Sequence, residues 1–269
     1  MIPHFPFTDQ PFKRELGLKV LDLKDWIQID DEWAAQVALK KRLLTEQSHI
    51  VLAQENYGYA DELVEVLRDH LRTYHPEVLA RAQTDPRGGL HQVAAMVQED
   101  FCLLEPGTSR LVAGLVCFPS RWKIADKLGK NSDAIHQPVA AFESIARPTA
   151  MAIEQVSKPL TRINWTIHDT AELFCPEPAS HFERLTSDEV IDKVFLRIER
   201  QTIRKLQRTG ATAFSIRTYI HPLRQVIGES SQLRRLKSTL NSLPEPVARY
   251  KGMSYFFSEL KTALERLPS

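Results

Sequence analysis

The chain has 269 residues, of which 43% are hydrophobic and 26% charged, with 35 Lys and Arg against 34 Asp and Glu. That length buries a large core as one domain or two, and the composition excludes disordered and fibrous classes. A net charge near zero leaves no field to gather phosphate backbones, so nucleic acid is not an expected partner.

Residues 1–12 carry prolines and aromatics rather than a basic patch followed by an apolar run, unlike a secretory signal. No apolar stretch approaches the roughly 20 residues needed to cross a bilayer, so no membrane is expected. Cys102, Cys117 and Cys175 are odd in number and far apart, which argues against a disulfide framework. A cytoplasmic protein is the expectation.

In chain order, residues 18–23 read as a short strand, and Asp30, Asp31 and Glu32 supply an acidic start to a helix running to about residue 53. Trp33, Val37, Leu39, Leu43 and Leu44 fall mainly at helical spacings there. A second helix is predicted over about 60–74, with Leu63, Val66, Leu67 and Leu71 as its apolar stripe and Pro76 beyond its end. Residues 84–89 are the clearest breaker cluster and set a soft boundary between an N-terminal helical segment, 1–86, and a core, 87–225.

Strands are predicted at 100–104 and 111–118, joined by Glu105-Pro106-Gly107-Thr108 as an antiparallel hairpin. A short helix over 121–128 follows, and residues 135–139 lead into a longer helix over 140–156. Three further strands are expected at 162–168, 194–201 and 211–219, with a turn at Arg208-Thr209-Gly210. The segment 226–269 reads as two amphipathic helices, 230–241 and 253–267, broken between Pro244 and Pro246. In the first, Arg234, Arg235 and Lys237 interleave with Leu233, Leu236 and Leu240 as a solvated face. Five strands with helices inserted between the second and third, wrapped by terminal helices, point to an α+β design in one compact domain.

Nucleotide signatures of the Gly-x-Gly-x-x-Gly and Walker types are missing, as are His-Glu-x-x-His and paired Cys-x-x-Cys spacings. Three scattered cysteines cannot hold a four-thiolate iron–sulfur cluster. The informative features are polar residues inside apolar strands, because buried charge needs a partner. Strand periodicity puts Arg162, Asn164 and Thr166 on one face; Arg197, Glu199 and Gln201 on another; and Ser215, Arg217 and Tyr219 on a third. Each face is either half of an exposed sheet with cross-strand ion pairs or the lining of an anion or cofactor pocket. His136, between Ile135 and Pro138-Val139, is either a hydrogen-bonded structural residue or an iron ligand. Cys102 and Cys117 read as small core residues, with thiolate ligation as the competing role.

At these same positions the chain resembles the haem-dependent oxidative N-demethylase family of bacteria. The matching segments include Leu18 to Trp26, Ile29-Asp30-Asp31, Val97-Gln98-Glu99-Asp100, residues 113–122, Lys127-Leu128-Gly129, Ile135-His136-Gln137-Pro138-Val139, Arg162-Ile163-Asn164-Trp165, Glu199-Arg200-Gln201-Thr202 and residues 214–219. The order holds from about residue 18 to 224. The resemblance implies a PAS-like antiparallel sheet enclosing haem b, and oxidation of a small methylated amine by dioxygen with release of formaldehyde. It also implies electrons from a separate flavin and iron–sulfur donor protein, and leaves oligomerisation open. Carried onto the matched residues, it makes His136 the candidate axial ligand of the haem iron and Arg162, Arg200 and Arg217 candidate partners of the haem propionates. Glu199 is the candidate receptor for the substrate ammonium, with Trp165 or Tyr219 against the cation. One departure is Ala140-Ala141-Phe142, where relatives typically continue with Pro-Gly. The competing function is a non-catalytic haem or small-ligand sensor, since fold alone does not determine activity.

Overall fold

The computed structural model describes residues 2–13, 15–55, 58–131, 134–135, 158–178 and 185–268. Among these residues seven strands form one antiparallel sheet: β1 (Lys19–Val20), β2 (Leu52–Gln54), β3 (Asp100–Leu104), β4 (Leu111–Leu115), β5 (Leu160–His168), β6 (Phe195–Lys205) and β7 (Thr212–Pro222), in the order β1-β5-β6-β7-β3-β4-β2. The five central strands, β3 to β7, are the five expected, and the long insertion falls between the second and third of them. The fold is α+β, as the order of predicted strands and helices implied.

Helices pack mainly on one face, here the back. α1 (Trp33–Glu46), α3 (Gly58–Tyr74) and α5 (Gly89–Ala94) cover its β7-β3-β4 half, where Trp26, Leu63, Leu67, Phe101 and Leu115 are buried in one cluster. Its β5-β6 half packs Trp165, Ile167, Leu196 and Ile198 against α8 (Ser230–Ser242), α9 (Glu245–Tyr250) and α10 (Phe257–Glu265). Shorter helical segments are α2 (Ser48–Val51), α4 (Pro76–Arg81), α6 (Val190–Lys193) and α7 (Leu223–Val226).

Several expectations are corrected. The helix expected to reach residue 53 ends at Glu46, and Leu52–Gln54 becomes β2, paired with Leu115, Gly114 and Ala113. Its apolar run suits either element, and a non-local sheet edge claims it. Within the breaker cluster, Gly88, at φ 66°, turns the chain into α5. The helix over 121–128 shrinks to a single 3-10 turn, Ile124–Asp126, and the break near Pro246 holds α9 with its proline in the first turn. The helix expected over 140–156 lies outside the described residues.

The start of β3 is tied to α1 by charge. Lys40, fully buried, pairs with Asp100 at 3.1 Å and donates to the carbonyls of Val97, Gln98 and Glu99. Asp100 in turn accepts from the Phe118 amide at 2.7 Å. Removing one member of such a pair strands the other charge away from water. Lys40→Ala is expected to cost about 3–5 kcal/mol in urea denaturation, against less than about 1 kcal/mol for the exposed Arg234→Ala; equal losses would contradict a buried ionic anchor.

Candidate functional site

The face of the sheet opposite the helices borders a cavity of about 1820 Å³. Ordinary small-molecule pockets occupy roughly 300–1,000 Å³, so there is room here for a macrocycle together with a small substrate. The antiparallel registers place Cys102, Leu104, Ile203, Phe214 and Ile216 on this front face as an apolar floor. The long strands β5 and β6 carry the polar end: Arg162 lies opposite Gln201, and Asn164 opposite Glu199. Ile135, next in sequence to His136, also lines the cavity.

Glu199 is held by three neighbours. Its Oε2 accepts from Asn164 Nδ2 at 3.2 Å and Gln201 Nε2 at 3.0 Å, while Oε1 stands 3.9 Å from Arg197 Nε. Arg197 is itself fixed by the carbonyl of Phe118 at 2.5 Å. Arg162 differs: its Nε is buried without a hydrogen-bond partner, and no carboxylate of the described residues lies within ion-pair distance. Burial lowers its pKa, with Glu199 and Tyr250 acting in the opposite sense. A guanidinium so placed has donors to spare for an anion entering the cavity.

The register separates the other candidates from this pair. Arg200 and Arg217 face each other across β6 and β7 on the back side. Arg217 binds Asp30 at 2.5 Å and Gln36 at 2.9 Å; Arg200 donates to the carbonyls of Trp26, at 3.2 Å, and Asp25. Tyr219 lies under Arg217, 4.6 Å from the guanidinium, and its hydroxyl donates to Gln28 at 2.6 Å. Arg200 and Trp165, on the back side by register, also line the cavity, and Lys251 Nζ already sits 4.4 Å over the Trp165 ring. The three polar strand faces therefore do not form one surface: those of β5 and β6 meet at the cavity, and that of β7 turns away. His136 lies outside the described residues.

Burial and Asp100 push the Cys102 thiol up to about 12, and burial raises that of Cys117, so neither supplies a thiolate at neutral pH. Two residues the sequence reading passed over, Ser120 and His168, also line the polar end, hydrogen-bonded at 3.0 Å. The signal for His168 was its place on the same strand face as Arg162, Asn164 and Thr166; Ser120, 48 residues away, carried none.

The family model for the haem-dependent oxidative N-demethylase, alpha subunit-like, matches residues 17–261, and the chain belongs to that family. Its description implies haem and an oxidoreductase-like activity. The residues present fit the cofactor: an apolar floor for the porphyrin body, and at its rim the orphaned Arg162 nitrogen for a propionate. Among the described residues no helix is long and apolar enough to cross a membrane, and no group of three or more His, Cys, Asp or Glu could hold a bare metal ion.

Buried histidines make stability depend on pH. Burial, reinforced by nearby cations, lowers His70 from 6.5 to about 4 and His168 from 6.5 to about 3. Their neutral forms favour the fold, so this stability is complete above pH 6.5 and falls as the unfolded chain takes up protons below it. The denaturation midpoint of the wild type relative to His70→Leu is expected to decrease from pH 7 to pH 5; parallel profiles would contradict the assignment.

Proposed function

We propose that this chain binds haem b across the front of the sheet and oxidatively demethylates a small methylated amine in the cytoplasm. Dioxygen is the oxidant, a separate flavin and iron–sulfur protein donates the electrons, and formaldehyde is released. The observation that carries this reading is that Arg162 and Glu199, diagonal neighbours on β5 and β6, both line the polar end of a cavity with an apolar floor. An anionic cofactor edge and a cationic substrate each find an opposite charge there, on adjacent strands of one rigid sheet.

Arg162 supplies the guanidinium fork for a haem propionate. Arg200 and Arg217 are engaged by backbone and side-chain groups on the back face, which favours Arg162 among the three arginines. His136 would hold the haem iron, a role supported by the neighbouring Ile135 on the cavity wall. When bound, the haem supplies reductive activation of dioxygen.

Glu199 receives the ammonium of the amine. Asn164 and Gln201 donate to the same oxygen and hold the carboxylate, so that Oε1, 3.9 Å from Arg197 Nε, is the oxygen offered to the ammonium. Its position in a mostly apolar cavity strengthens that attraction and suits alkyl groups on the amine nitrogen. Trp165 and Tyr219 already have Lys251 and Arg217 against their rings, so Glu199 carries recognition of the cation.

The test is turnover of dimethylamine by haem-loaded protein with dioxygen and a chemical or protein reductant, followed as formaldehyde. Glu199→Gln is expected to raise KM roughly 10- to 100-fold, the loss of a charge-assisted hydrogen bond of about 1.5–3 kcal/mol, with haem content unchanged. Arg162→Ala is expected instead to weaken haem binding. A haem-loaded wild type without amine turnover would remove the demethylase reading in favour of a sensor.

A further inference from the structure

The cluster of Ser120 and His168 at the polar end has no task in this scheme. The Ser120 hydroxyl lies 3.0 Å from His168 Nε2, and both residues line the cavity. His168 is 2% exposed, and its Nδ1 is buried with no hydrogen-bond partner. A buried imidazole nitrogen left in that state is a place for ordered water or a transient partner.

The backbone around the pair is held under strain. Ser120 forms a parallel bridge with Cys175, and the Arg121 amide donates to the Cys175 carbonyl at 2.6 Å. Arg121 adopts φ 62°, a left-handed conformation that is unfavourable for a residue bearing a Cβ. An ion pair between Arg121 and Asp169, the residue after His168, ties down the same turn. Such outliers concentrate where geometry is functional.

A serine–histidine pair also begins a hydrolytic triad, but the chemistry here disfavours a nucleophile. Burial, Arg197 and Arg121 depress the imidazole to about 3, far below the range useful to a general base near neutrality. Its Nδ1 also lacks the carboxylate that orients a triad histidine. A neutral hydrogen-bonded imidazole suits proton passage instead, since one nitrogen can accept while the other donates.

The demethylation proposed above consumes protons. One methylated amine, one dioxygen, two electrons from the donor protein and two protons give the demethylated amine, formaldehyde and water. We propose that Ser120 and His168 form the relay that delivers these protons to the cavity, an inference that rests on the demethylase reading. In each transfer the Ser120 hydroxyl gives its proton to the cavity, His168 Nε2 restores it, and Nδ1 takes up a proton from a water that bulk buffer reprotonates. Tautomer exchange then resets the ring, and no imidazolium accumulates.

The test compares haem-loaded wild type, Ser120→Ala, Ser120→Thr and His168→Gln, with equal Soret absorbance per chain as the control for haem and fold. The alanine and glutamine variants are expected to lose roughly 100-fold in amine turnover and to release more hydrogen peroxide per electron consumed, whereas threonine, which keeps the hydroxyl, retains activity. Nitrogen-15 spectra of the haem-free protein should show a neutral His168 ring from pH 5 to 8, with a tautomer balance that changes in Ser120→Ala. Full turnover and unchanged peroxide yield in the alanine and glutamine variants, or an imidazolium at pH 7, would overturn the relay and leave demethylation standing. A wild type that holds haem but turns over no amine would remove both.

Discussion

One antiparallel register, running through β5, β6 and β7, decides the chemistry of both faces of the sheet. Side chains alternate with a period of two, so a slip of one residue would exchange Glu199 with Arg200 and Arg162 with Ile163. The register is secured by the two buried halves of the back face, with Ile198 and Trp165 under the C-terminal helices and Phe101 and Leu103 under α1, α3 and α5. The cavity is thus a consequence of where the helices are: the polar residues of β5 and β6 occupy the front because the back is already committed to packing.

The back face carries its own polar system. Arg200 and Arg217, directly opposed, would repel one another across the ladder. Fully buried Glu99 stands among them and accepts from the Gln28 amide at 2.8 Å; burial pushes its carboxyl up, and Arg217 pulls it back. Gln98 joins Asp30 at 2.7 Å to Gln36 at 3.1 Å, and Arg217 binds both. The segments 29–31, 97–100 and 214–219, which carry much of the family resemblance, converge on this one network. They hold the loop before α1 against the sheet and so define the wall behind the cavity floor.

What the sequence disclosed follows from the range of each interaction. Strands β5, β6 and β7 were legible because alternation is local, and α3 because its stripe repeats within one helix. Strand β2 was not, since three residues paired with β4 leave no periodic trace. The same limit governed the site. Alternation grouped Arg162 with Asn164, and Glu199 with Gln201, but only the cross-strand register shows that those groups meet while Arg217 and Tyr219 turn away. The contact of Ser120 with His168 depends on the bridge between Ser120 and Cys175, which has no local signature.

On the proposed reading, the front face takes an anionic macrocycle whose carboxylate edge meets Arg162. The most direct measurement is an optical titration of the haem-free chain with haem, followed by dithionite reduction. A Soret band that saturates at one haem per chain and shifts on reduction is the predicted result. A titration with no saturable Soret band, on a chain whose circular dichroism shows the α+β fold intact, would contradict it.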